Sequence, residues 1–251
     1  MLLSTNVPAK PTESESLAQY LANVSSAGRK LVKLEVDFIP QIKKKWEKIL
    51  ADRMTDRERA ENAINACYLY AGLGRARILW TENPLTAMKI SIDRPDLVDV
   101  GSQILQQIWD SCNHEIDRQI DPEFIDVVKA YANPRAQIVG AQQSLAFDPL
   151  GDFLNQVSVA EIQKSYPALD PSALPATMQD YRIAYLSYFD YFHQIGIDIP
   201  QIQLLIDLAQ SCGCCWAFEN IAILTPKASA IEFSDRGTLV SLIYDGVNIL
   251  E

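Results

Sequence analysis

Apolar side chains recur every three or four residues along most of the first 213 positions, then change to short runs punctuated by glycine. Such a switch of period marks a passage from helices to strands. Thr12-x-x-Glu15 has the form of a capping box, followed by Leu17, Leu21 and Val24 at helical spacing and a stop at Gly28. Ile39, Ile42, Trp46 and Ile49 behind Pro40 predict a helix over roughly 37–51. Val32, Leu34 and Val36 alternate with Lys33 and Glu35, so 31–36 stays open between strand and helix. A second capping box, Thr55-x-x-Glu58, opens a helix carrying Ala60, Ile64, Cys67 and Ala71 on one face and ending at Gly72.

Ile78-Leu79-Trp80 is a short apolar run, a candidate buried strand. Asn83-Pro84 supplies a cap and a first-turn proline for a helix starting over Leu85 to Ile90. Val100, Ile104, Ile108, Cys112 and Ile116 step by four in a long helix between Pro95 and Ile120. Asp121-Pro122 repeats the capping device ahead of Phe124, Val127 and Tyr131. The proline-punctuated stretch 133–175 reads as loop with a short helix from Val159 to Tyr166. Over 176–195, Tyr181, Tyr185, Tyr188, Phe192 and Ile195 form an aromatic stripe flanked by Phe189, with Gln179, Asp180, Ser187 and Asp190 opposite. Ile202, Leu205, Ile206 and Ala209 make another helix that Gly213 stops.

Beyond it, Trp216 to Leu224 is apolar and β-capable. Ala230 to Phe233, Thr238 to Tyr244 and Val247 to Leu250 read as a meander whose hairpins turn at Gly237 and Gly246. The expected fold class is therefore α+β, mainly helical with a small C-terminal antiparallel β-meander. The expected organisation is a polar leader over 1–13, a helical region over 14–213 and the meander over 214–251, packed together as one domain spanning 14–251.

Charge and composition narrow the partners more than the chemistry. The chain of 251 residues carries 22 basic and 32 acidic side chains, a formal charge of −10. Nucleic acid and anionic membrane surfaces are bound chiefly by clustered Lys and Arg, so neither is an expected partner. Lys43-Lys44-Lys45 beside Trp46 is the densest basic run, and on a helix it spreads around the circumference. The first residues lack the apolar run of a secretion signal, which needs roughly 7–15 such residues. With five cysteines, an odd number, reduced thiols and a cytoplasmic location are expected.

Candidate chemistry gathers in few places. Cys212-Gly213-Cys214-Cys215 puts three thiols in four residues, a pattern able to hold a soft metal or form a redox pair. Completing a tetrahedral site would need Cys67 or Cys112 from elsewhere, and small apolar packing at a helix-to-strand corner accounts for the cluster as well. Trp216 and Glu219 stand beside it as candidate binding residues. His114 shares a helical face with Asp110 and Asp117, a spacing that permits a divalent metal but also describes a solvated stripe. For His193, a packed imidazole with one hydrogen bond suffices. No nucleophile elbow, P-loop or dinucleotide fingerprint occurs, no catalytic residue is assigned and no cofactor is expected.

Several segments in order resemble a known family: Trp46-Glu47-Lys48-Ile49, Asp56-Arg57, Ala60-Glu61, Ile78-Leu79-Trp80, Asn83-Pro84-Leu85, Ser187 to Phe192, Cys212-Gly213, Trp216 to Glu219, and Ile223-Leu224-Thr225. It is an uncharacterised bacterial family, a domain of unknown function recurrent in cyanobacteria and actinobacteria and sometimes attached to leucine-rich repeats. Toward its end the family pattern has Arg-Pro after the strand, then Asp, Leu-His and an Asp-Gly turn. Here Lys227-Ala228 replaces Arg-Pro and Val240 replaces the histidine, while Asp235, Leu239 and Asp245-Gly246 match. The resemblance implies the fold and a bacterial cytoplasm, marks Asp235 and Asp245 as further candidate binding residues, and implies no activity. The expected function is a non-enzymatic protein-interaction or regulatory domain with a protein partner. The alternative is a thiol- or metal-dependent protein using Cys212, Cys214 and Cys215.

Overall fold

A computed structural model describes residues 38–120, 183–233 and 239–249, together with Glu35, Ile125, Lys164, Tyr166 and Pro167. Helix α1 (Ile39–Ala51) enters through Pro40 and buries Ile42 and Trp46. Helix α2 (Arg57–Tyr70) turns Ala60, Ile64 and Cys67 inward, the face its spacing predicts. Its cap differs from the expected one. Asp56 accepts the Arg59 amide at 3.0 Å, whereas the Thr55 hydroxyl accepts the Lys227 amide at 2.9 Å, far along the chain. A carboxylate at a helix N-terminus gains from the helix dipole, which leaves the threonine free for a tertiary bond.

Helix α3 (Pro84–Asp93) starts as its Asn-Pro signal predicts, with Asn83 Oδ1 accepting the Thr86 amide at 3.0 Å. Helix α4 (Gly101–Gln119) begins at Gly101 rather than near Pro95. Residues ahead of it are drawn against a strand: Val100 N–H donates to Ala217 O (2.9 Å) and Glu219 N–H to Val98 O (3.0 Å). The Asp99 carboxylate then accepts the Gly101 amide at 2.9 Å. Helices α5 (Ile183–Gln194) and α6 (Ile202–Ser211) complete the helical set among the described residues. None of these is long and apolar enough to cross a membrane. The expected leader, the helices anticipated after Thr12 and Asp121 and around 159–166, and the choice at 31–36 lie outside the described residues, single positions aside.

The chain is α+β. Among the described residues its strands form two three-stranded sheets. In the first, β1 (Arg77–Trp80) pairs in parallel with β3 (Ile221–Leu224), and β2 (Cys215–Phe218) pairs antiparallel with β3 on the other side. The apolar run at 78–80 is thus a strand, as its composition suggests. Its partner comes from the far end of the sequence, with Ile78 opposite Ala222 and Trp80 opposite Leu224. The second sheet is the meander β4 (Ala230–Phe233), β5 (Leu239–Tyr244) and β6 (Val247–Asn248). Asp245 (φ 49°) and Gly246 (φ 82°) make its last turn, the left-handed pair that a tight hairpin requires.

Side chains on a strand point alternately to opposite faces, and here both faces are covered. Cys215, Ala217, Ala222 and Leu224 join a large core with α1, α2, α4, α5 and α6. Trp216, Phe218, Ile221 and Ile223 join a second core with Ala87 and Met88 of α3 and Leu242 and Tyr244 of β5. Burial on both sides explains why β2 and β3 are continuous apolar runs instead of alternating ones.

Helix α5 departs from the pattern read in its sequence. Ser187 and Asp190, expected on an outward polar face, are buried along with every residue from Leu186 to Phe192. The helix packs against both α1 and α6, so no side of this stretch meets water. Asp190 is fully enclosed, and its carboxylate accepts from Lys45 Nζ (2.9 Å), Trp46 Nε1 (2.9 Å) and Gln194 Nε2 (3.3 Å). Tyr188 and Tyr191 set their ring edges against Phe192, at 4.9 and 5.2 Å between centroids.

Because Lys45 keeps 36% of its side-chain exposure while Asp190 has none, the two halves of this pair are unequal. Replacing Lys45 by Met strands a buried carboxylate and should cost about 2 kcal/mol or more, against ~0–1 for an ordinary surface pair. Asp190→Ala orphans the Trp46 N–H and should cost about 2–4 kcal/mol. Urea unfolding of both variants measures this, and a Lys45→Met cost near zero contradicts it.

Candidate functional site at the helix-to-strand corner

The chain leaves α6 through Ser211, whose hydroxyl donates to Asp207 O at 2.6 Å, and turns into β2 at Cys212 and Gly213. Gly213 N–H donates to Thr225 O (2.9 Å), Thr225 N–H to Cys214 O (3.0 Å), and Cys214 N–H to the Thr225 hydroxyl (2.8 Å). A Cβ on residue 213 would lie 2.1 Å from Pro226 O and 2.7 Å from Thr225 Oγ1. Glycine is required here by that close approach of two backbone segments. The loop before α2 is stitched to the same corner, since Asp56 N–H donates to Ser211 O at 2.9 Å and Thr55 holds the Lys227 amide.

All five thiols are buried. Cys212 and Cys215 belong to the large core, with Cys67 and Cys112, while Cys214 belongs to the second core across the sheet. The three clustered sulfurs are therefore divided by the strand's own alternation. Burial pushes the Cys67 and Cys112 thiols up to about 12, from an ordinary 9.0. Burial, reinforced by Cys212, Cys67 and Cys214, raises Cys215 well above its usual range. Thiolate is the form that attacks or binds metal, and these environments oppose it. Among the described residues no group of three or more His, Cys, Asp or Glu side chains is placed to hold a metal ion.

Next to the thiols lies a group that sequence reasoning did not single out as a site. Lys227 keeps 9% of its side-chain exposure, and its ammonium has no hydrogen-bond partner among the described residues. Asp52 Oδ2 stands 4.0 Å away, at the outer limit of an ion pair. Burial holds the Lys227 ammonium below its ordinary value; Asp52 and Cys212 push it up, Arg53 and Arg59 push it further down. The Tyr244 hydroxyl is likewise buried, with no hydrogen-bond partner among the described residues, and burial raises it well above the usual phenol range. Arg53 acts on both groups. The 227–229 segment is fastened to β5, because Ser229 N–H and Oγ both reach Ile243 O, at 2.8 and 2.9 Å.

The remaining sequence candidates are dispersed. Trp216 is 1% exposed and packs in the second core, so it presents no binding surface, contrary to the expected role beside the cysteines. Its place in a two-sided strand is the reason. Glu219 is exposed at the β2–β3 turn and Asp245 at the β5–β6 turn of the other sheet, while Asp235 lies outside the described residues. His114 is exposed on α4; of its helical neighbours, Asp110 accepts from Gln106 at 2.6 Å. His193 Nδ1 is enclosed without a partner among the described residues, so that nitrogen does not make the single hydrogen bond expected of it. A separate cleft of about 450 Å³ opens between α2 and α6, lined by Asp56, Glu58, Arg59, Asn62, Leu204 and Asp207. Arg59 spans it, bound to Asp207 at 2.7 Å and to the Gln210 amide oxygen.

The chain matches no protein-family model, no curated protein and no solved structure.

Three measurements test this corner. Gly213→Ala should destabilise the protein by more than about 2 kcal/mol in urea, since the clash is with backbone that cannot move aside; a neutral result contradicts the close approach. The thiols should be silent toward a thiol reagent at pH 8 in the native state, and all five should react after unfolding. Unfolded thiols lose their protons near 9.0, folded Cys67 and Cys112 only near 12, so their stabilisation is complete below pH 9 and is lost as pH rises through that window. Lys227 acts oppositely, because the unfolded state binds its proton more tightly. The urea midpoint of Lys227→Met should therefore gain less than wild type as pH approaches 10.5 from below.

Proposed function

We propose that the chain is a non-enzymatic protein-interaction or regulatory domain of the cytoplasm, and that it engages an extended segment of a protein partner along β6. The observation that carries this reading is the position of β6 at the edge of the sheet ordered β4-β5-β6, with Val247 63% exposed on it. Edge strands offer unpaired N–H and C=O groups, and a partner segment added alongside satisfies them. Val240, 49% exposed on β5, extends the apolar surface of the same sheet. The burial of all five thiols supports binding over turnover, since the groups best suited to covalent chemistry are packed into two cores.

Membership in the bacterial family resembled by the ordered segments belongs to the same proposal. It is supported by the structural service those segments perform. Trp46 and Asp190 bond to each other, Asp56 caps α2, Asn83-Pro84 opens α3, and Gly213 permits the corner. The odd number of cysteines supports the cytoplasmic location.

The test is native mass measurement and pull-down with the full chain. A protein partner or a defined assembly is expected, and Val247→Lys, which puts a charge on the edge, should weaken it by about tenfold or more. A plain monomer that captures nothing defeats the proposal, as does turnover of a substrate that is lost in Cys214→Ala while the fold is retained.

A further inference from the structure

The two edges of the first sheet are finished differently. Beyond β2 the segment ahead of α4 closes the row, with Asp99 bridged to Phe218, Val100 N–H donating to Ala217 O and Glu219 N–H to Val98 O. Beyond β1 no described residue does the same. Arg77 N–H donates to Asn220 O (3.0 Å) and Thr81 N–H to Leu224 O (2.9 Å). The residues between in alternation, Ile78 and Trp80, therefore turn their N–H and C=O groups away from β3. Among the described residues nothing bonds to those groups. Ile78, Leu79 and Trp80 are only partly buried, whereas every residue of β3 is buried. Natural sheets blunt an open edge with devices such as a proline or a bulge, and β1 has neither. The strand is also held in shape before anything pairs with it. Trp80 Nε1 donates to Glu61 at 2.8 Å, and the Arg57 guanidinium lies 5.0 Å over the indole.

We propose that β1 is the interface for a second copy of this chain, the two β1 strands pairing antiparallel about a two-fold axis at Leu79. The edge complements itself. With Leu79 opposite the second copy's Leu79, Ile78 falls opposite Trp80, and these outward-facing residues exchange both N–H···O=C bonds on either side of the axis. Every open backbone group of the strand is then used, and both copies present the same patch, as a two-fold contact requires. Charge agrees with this register. Antiparallel pairing brings the exposed Arg75 and Arg77 of one copy to the end where the other copy's exposed Glu82 leaves the strand, so opposite charges meet at both ends. The first sheets of the two copies join into one of six strands. A junction this short buries less than the roughly 1,200 Å² of a standard interface, so its dissociation constant should be about micromolar. The contact goes beyond the reading above and is separate from it, because β6 lies in the other sheet.

The experiment combines sedimentation equilibrium with cross-linking of the full chain. Wild type should pass from monomer to dimer between about 1 and 100 µM. A non-hydrogen-bonded antiparallel pair sets its Cα atoms roughly 4.5 Å apart, within the roughly 4.4–6.8 Å that a disulfide spans. Leu79→Cys should therefore give, on mild oxidation, a covalent dimer that dithiothreitol reverses. Arg77→Cys, whose two copies would stand roughly 14 Å apart along the strands, should not, and neither should wild type, whose five thiols are buried. Arg77→Glu and Glu82→Arg change exposed side chains only; each should weaken the dimer by about tenfold, and the double variant should recover most of that loss. These two decide the matter if Leu79→Cys does not fold. A wild type that stays monomeric over the whole range overturns the proposal, as does cross-linking of Arg77→Cys as readily as Leu79→Cys. Val247→Lys should dimerise as wild type does; loss of the dimer there would move the contact to β6 and overturn the assignment to β1. Failure to capture a partner at β6 leaves this dimer untouched, so the two readings stand or fall separately.

Discussion

Two four-residue strands, β2 and β3, buried on both faces within a three-stranded sheet, are the constraint from which the rest of this molecule follows. Because alternate residues of β2 and β3 must serve opposite cores, the chain there has no face left for water or for a ligand. The parallel register of β1 on β3 joins residue 77 to residue 221 and so ties the first half of the chain to the last. Helices α2, α4 and α6 cover one side and α3 with the meander covers the other. Cys214 and Cys215, adjacent in sequence, are thereby sent in opposite directions.

Polar groups inside this frame are treated in two ways. Asp190 is completely enclosed yet meets three donors, two of them from consecutive residues of α1 more than 140 positions away in sequence. Such a pair fixes how α5 sits on α1, since any shift of register leaves a buried charge unmatched. Lys227 and Tyr244 are enclosed with no acceptor supplied by the described residues.

Much of the architecture was legible in advance because it rests on local rules. The Asn83-Pro84 start, the stripe of Ile104, Ile108, Cys112 and Ile116, and the Asp245-Gly246 turn are decided by neighbours within a few residues. What escaped was decided at long range. Thr55 gave up its capping role to Asp56 because Lys227 arrives beside it, and α4 starts late because Val98 to Val100 bond to β2. Asp190 read as a surface acid, since nothing local announces that two helices close over it. Lys227 attracted notice only as a departure from a family pattern. A lone lysine in a loop carries no periodic signal, and its surroundings, the Thr55 hydroxyl on its amide and Asp52 4.0 Å from its amine, come from a distant part of the chain. The cysteine cluster misled in the opposite sense, its density in sequence being undone by strand alternation.

The most direct test of this account is a nuclear Overhauser measurement on the β-protons of Cys214 and Cys215. Cys215 should report to side chains of the large core such as Ala222, and Cys214 to those of the second core such as Tyr244 and Trp216. Contacts from both thiols to one shared set of side chains, or rapid exchange of both with solvent, would contradict it.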